Sequence, residues 1–136
     1  AYSTYLGGTD FDVAHAAAVD SAGNIYVTGE TRSSGFPRTN SIGPISASSG
    51  DIFVVKLDPT GSRAIYSTVI GGSAGDIGRS IAVDAAGNAY ITGSTISTNF
   101  PVRNAYQSVK RAEADAFVAK LNSTGSELIF CTYLGG

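Results

Sequence analysis

Short apolar runs alternate with clusters of Gly, Asn, Asp, Ser and Pro along the whole chain. No window of 11–18 residues sustains apolar positions at helical spacing. Residues 13–20 (VAHAAAVD) run into Ser-Ala-Gly-Asn, and residues 77–84 (IGRSIAVD) run into Ala-Ala-Gly-Asn. Gly and Asn are the residue types that tolerate the positive φ of a tight turn. The pattern predicts strands at 13–20, 25–29, 53–57 and 64–70, and again at 77–84, 89–93, 117–121 and 128–134. The segments 25–29, 53–57, 89–93 and 117–121 carry the β-branched and aromatic residues that strands favour. Asp-Pro-Thr-Gly at 58–61 and Asn-Ser-Thr-Gly at 122–125 read as further turns. One long connection interrupts each set, at about 32–50 and 96–114.

The two sets of strands are copies. Tyr2-Ser3-Thr4 with Gly7-Gly8 returns as Tyr66-Ser67-Thr68 with Gly71-Gly72, and again near the end as Phe130-Cys131-Thr132 with Gly135-Gly136. The offset is 64 each time, and residues 1–64 align on 65–128 without a gap at 28 identical positions. Four short antiparallel strands per repeat predict an all-β chain of β-propeller blades. The expected division is an outer strand at 1–8 completing a preceding or neighbouring blade, a first blade at 9–72 and a second at 73–136.

The repeated residues carry a family resemblance. They read Tyr-Ser-Thr-x-x-Gly-Gly, then Ala-Val-Asp-x-Ala-Gly-Asn-x-Tyr-x-Thr-Gly-x-Thr-x-Ser, then Phe-Pro, then Asp-x-Phe-Val-x-Lys-Leu-x-x-Thr-Gly-Ser. This pattern resembles the bacterial β-propeller repeats known as SBBP repeats, over nearly the whole chain. The resemblance implies blades of a propeller in large, mostly secreted or surface proteins, usually described without enzymatic activity.

Charge and composition narrow the function. A net charge of −2 and the lack of any Lys/Arg cluster argue against nucleic acid as a partner. No apolar run approaches the roughly 20 residues of a membrane span. The single Cys cannot form an internal disulfide, and no cysteine pair exists to hold zinc. The chain starts Ala-Tyr-Ser and contains no Met, so it is expected to be processed or cut from something longer. Together with the resemblance this points to an extracellular or cell-surface location.

Repeated positions that could carry chemistry have structural readings beside the functional ones. Gly7, Gly8, Gly71 and Gly72 suit a sharp crossing between blades, and no helix follows them as a phosphate loop requires. Tyr26, Tyr90, Phe53 and Phe117 are expected to pack between blades, and Phe36-Pro37 and Phe100-Pro101 to tuck the long loops onto them. Asp12/Asp76, Asp20/Asp84 and Asp51/Asp115 recur, but Asp20-Ser-Ala-Gly-Asn24 lacks the second carboxylate and distal Glu of a calcium loop. Bracing of turn amides is the expected role of these carboxylates. Lys56 and Lys120 are available to pair with them.

His15 is matched by Arg79, and Cys131 by Ser3 and Ser67. Glu30 and Glu127 are matched by Ser94 and Arg63, so no repeated catalytic set exists. The sequon at Asn122 falls in a turn whose partner is Asp58-Pro59-Thr60. No catalytic, cofactor-binding or metal-binding residue is assigned.

Two blades do not close a ring of four to eight. The expected function is a non-enzymatic propeller-repeat scaffold, completed by self-association through blade faces and terminal strands or by further blades. One alternative is a filament-forming surface subunit joined by exchange of its duplicated end strands. The other is a lectin-like module binding glycan or calcium, with protein or glycan ligands on the variable long loops.

Overall fold

The computed structural model describes residues 1–136 and contains strands only. The first blade comprises β1 (Asp12–Val19), β2 (Ile25–Thr31), β3 (Asn40–Ile42), β4 (Asp51–Leu57) and β5 (Ala64–Ile70). The second comprises β6 (Asp76–Val83), β7 (Ala89–Thr95), β8 (Asp115–Leu121) and β9 (Leu128–Leu134). Strand order is β1-β2-β4-β5-β3 in one sheet and β6-β7-β8-β9 in the other. All eight expected strands are present, most shifted or extended by one or two residues.

Turn chemistry explains the hairpins. Between β1 and β2, Gly23 takes φ 85° and donates its amide to Asp20, while the Asp20 amide bonds Asn24. The same bonds link Asp84, Gly87 and Asn88 in the second blade. The inner strands carry the same irregularity, between Ala14 and Ala16 and between Gly78 and Ser80. A bulge of this kind bends the strand and tightens its twist.

The sequence reading missed β3. It lies inside the first long connection and pairs parallel with β5, Asn40 opposite Thr68 and Ile42 opposite Ile70. In the second blade only an Arg103–Cys131 bridge holds the matching place. Either way the outer edge of the blade is covered by its own loop, which blunts edge-to-edge pairing.

Residues 1–8 make no strand pairing within the chain. They nevertheless sit on the first blade, with the Tyr2 ring against the Cα of Gly61 and the Gly8 amide 2.7 Å from Asp12 Oδ2.

The core lies between the blades. Even-numbered residues of β2, β4 and β5 form what we term the front of the first blade: Tyr26, Thr28, Ile52, Val54, Tyr66 and Ile70. They meet the back of the second blade, where Ile91, Phe117, Ala119, Cys131 and Tyr133 lie. Each fully buried large side chain contributes about 1.5–3 kcal/mol through apolar area removed from water. A smaller cluster of Phe36, Phe53, Val55 and Val69 lies on the back of the first blade, with Leu6 packed against it.

The inner strand β6 crosses this contact at Gly78. A β-carbon there would stand 2.9 Å from Ile52 Cγ2 and closer still to the Thr28 hydroxyl. Gly78→Ala is therefore expected to lower stability by about 1–3 kcal/mol through overpacking. Urea unfolding checks this, and a variant as stable as the parent would show that the blades are not held at this distance.

Candidate functional site

The repeated carboxylates fall into three structural classes. Asp20 and Asp84 close the β1–β2 and β6–β7 turns. Asp20 accepts the amides of Ala22 and Asn24 at 3.0 and 2.9 Å, the Asn24 Nδ2 at 2.8 Å and the Tyr26 hydroxyl at 3.2 Å. Lys56 Nζ lies 3.8 Å from it and 4.9 Å over the Tyr26 ring. Asp84, Asn88, Tyr90 and Lys120 repeat the arrangement, with the lysine at 3.4 Å. Hydrogen bonds from Asn88 hold Asp84 down at about 2. Both oxygens of each carboxylate are thus engaged within their own turn. A cleft of about 380 Å³ separates the two turns and is lined by Asp20, Lys56, Asp84 and small residues.

Asp12 and Asp76 open the inner strands. Asp76 Oδ2 accepts the Gly72 amide at 2.6 Å and the Ser97 hydroxyl at 2.9 Å, and Asp12 does the same with Gly8 and Ser33. The paired glycines let the crossing backbone come this close. A β-carbon on Gly72 would meet Ser97, and one on Gly8 would meet Ser33 Cβ at 2.6 Å. Oδ1 of Asp12 and of Asp76 is buried without a partner.

Asp51 and Asp115 begin β4 and β8 and differ in their surroundings. Asp115 accepts the amides of Arg111 and Ala112 and the Gln107 side chain, and these bonds hold its carboxyl below the ordinary range. Asp51 has Gly43 in place of Gln107 and accepts only the Ser46 amide, at 2.9 Å. Its Oδ1 is buried without a partner beside Gly71. Burial pushes Asp51 up to about 7, with Asp76 adding to the rise; Asp76 itself is raised by burial.

The remaining candidates are dispersed. His15 and Arg79 are exposed on the inner strands. Cys131 is fully buried in β9, and burial pushes its thiol up to about 12. Glu30 is buried and pairs with Arg32, whereas Glu127 pairs with Arg103 on the surface. No three His, Cys, Asp or Glu side chains come together in a way that could hold a metal ion.

Of the aromatic residues, Tyr26 and Phe117 enter the interblade core and Phe53 the smaller cluster, while Tyr90 is half-buried on the front of the second blade. Phe36 stacks on Phe53 at 5.0 Å and Phe100 packs on Phe117 at 4.9 Å, so both long loops are tucked down as expected.

What the geometry displays is therefore one exposed sheet face, the front of the second blade, and opposite it a first-blade back covered by the chain's own loop at Phe36 and Ile45 and by Leu6. The front of the second blade repeats the first one's buried front position by position, with Thr92, Ala116 and Leu134 exposed where Thr28, Ile52 and Ile70 are covered. The SBBP family, described as a β-propeller repeat, matches residues 1–37 and again residues 65–101. The chain belongs to the SBBP β-propeller repeat family. No curated protein matches it. Each SBBP match runs from an outer-strand segment through the inner hairpin to the Phe-Pro of the long loop, so the matched unit includes residues 1–8.

Asp51 gives the protein a pH dependence of defined sign. Its folded-state value lies above the unfolded value of 3.8, so the folded state binds more protons between about pH 4 and 7 and loses stability as pH rises. The expected fall is roughly 2–4 kcal/mol across that window, and Asp76 acts in the same direction. Asp84, held low, acts oppositely and only below pH 4. Asp51→Asn should flatten the slope in a series of denaturant titrations; a parent whose stability climbs from pH 4 to 7 contradicts the assignment.

Proposed function

We propose that this chain is a non-enzymatic SBBP module whose end faces take further blades. In this reading it serves as an extracellular or cell-surface scaffold for assembly or interaction. The observation that supports it is the contact between the blades. That contact is heterologous, front against back, so the pair ends in an exposed front on one side and, on the other, a back covered only by its own loop and residues 1–8. Repeat arrays gain stability mainly from such nearest-neighbour interfaces.

The family resemblance supports the secreted or surface location, and no helix is long and apolar enough to cross a membrane. The carboxylates that recur in both blades brace turns and crossings, which leaves the blade faces and the long loops as the surfaces for partners. A hydrolytic or lyase activity lost on Asp12→Asn and Asp76→Asn would overturn the non-enzymatic reading.

The test of the faces is a chain with one more repeat. A second copy of residues 73–136 fused after Gly136 should raise the denaturation midpoint and unfold in one transition with the rest. An appended repeat that melts independently would show that the exposed front of the second blade is not a blade-binding face.

A further inference from the structure

Residues 2–8 hold a seat on the first blade that is defined by what happens on the second. Tyr66 packs its ring against the Cα of Gly125, and Tyr2 packs against Gly61, the matching glycine. The Gly72 amide bonds Asp76, and the Gly8 amide bonds Asp12. Residues 66–70 reach their seat as part of β5, tied into a sheet, and Gly71 and Gly72 follow directly; residues 2–8 reach theirs with no strand pairing. A third version of this segment, residues 130–136, ends the second blade with Phe130 in the place of Tyr66. In the covered seat the Tyr66 hydroxyl is buried without a hydrogen-bond partner, and Phe130 carries no hydroxyl to be left so.

The two end faces also differ from the buried pair in matching ways. At the internal contact Gly78 on the back faces Ile52 on the front, with no room for a β-carbon. The first blade's back has Ala14 where Gly78 stands, and the second blade's front has Ala116 where Ile52 stands. Both alanines are exposed. A methyl group has been added on one face and most of a side chain removed from the other. Ala14 would crowd a front bearing Ile, and Ala116 removes that contact; Thr92, at the place of Thr28, is the remaining neighbour that the Ala14 methyl must turn aside. Tyr90 likewise matches Tyr26, whose hydroxyl reaches the Gly87 carbonyl at 3.4 Å, and Gly23 stands ready as the counterpart of Gly87.

We infer that a second copy of this chain docks head to tail. The front of its second blade covers the back of the first blade, and its residues 130–136 displace residues 2–8. The inference rests on the reading of the end faces given above and adds the occupant, the register and the competing segment. Residues 2–8 then act as an internal plug that sets how readily copies join.

The test is a mutant cycle read by sedimentation velocity of the full chain across a concentration series. The parent should associate in a concentration-dependent way. Ala116→Ile, placed at a position exposed in the single chain, should keep the melting temperature and weaken association at least tenfold. Ala14→Gly combined with Ala116→Ile recreates the internal Gly–Ile pair and should restore association. Tyr2→Ala, at a half-exposed ring, should strengthen it by loosening the plug.

The inference is overturned if the parent and Tyr2→Ala both stay monomeric. It is equally overturned if Ala116→Ile associates like the parent, or if the double variant does no better than Ala116→Ile. Should the fused third repeat stabilise the chain while separate copies stay monomeric, the blade-face reading stands and the second-copy occupant falls.

Discussion

A β-sheet of four or five strands has two faces, and the apolar side chains on each must be covered. Almost every feature of this protein follows from how the first sheet covers the second. The contact uses Tyr26, Ile52, Val54 and Ile70 on one side and Ile91, Phe117, Ala119 and Tyr133 on the other. It sets the close approach at Gly78, which lets the inner strand β6 lie across the neighbouring sheet. Because the two sides of the contact are different surfaces, a pair of blades cannot satisfy both ends of itself. Closed rings solve this by bringing the last blade round to the first.

Polar groups are placed so that they do not compete with this packing. The aspartates sit at turns and at the first residue of strands, where backbone amides converge, and they consume those amides. Lys56 and Lys120 span from the aspartate to a tyrosine ring in each blade, which neutralises the carboxylate at the rim and keeps charge out of the interblade core. The exception is the pair Asp51 and Asp76. Burial works against their charged forms, and too few donors reach them.

Much of the architecture was legible because repetition turns one noisy pattern into two independent readings. The eight main strands, the Asp-x-Ala-Gly-Asn turns and the inward Phe-Pro loops all recur at the 64-residue offset. β3 was hidden because it occupies the least similar stretch between the copies, and three residues of parallel pairing leave no periodic trace. Residues 1–8 have the composition of a strand, but strand formation needs a partner that composition does not report. The contrast between Asp51 and Asp115 turns on Gly43 against Gln107, a difference that acquires meaning only once the loop is seen folded over the carboxylate. Ala14 and Ala116 lie a hundred residues apart and never meet within one chain, so only the internal Gly78–Ile52 contact reveals what they have in common.

The single thiol has a consequence of another kind. Cys131 sits in β9, opposite Ala119, with its backbone bonded to Arg103 of the covering loop and its side chain shut away from solvent. A thiol so strongly held in its protonated form, and so enclosed, reacts with nothing while the interblade core is closed. Modification requires the two blades to part or β9 to lift away, so the rate of thiol capture counts openings of the interblade core. The molecule carries its own clock for the loosening of the contact that joins its blades.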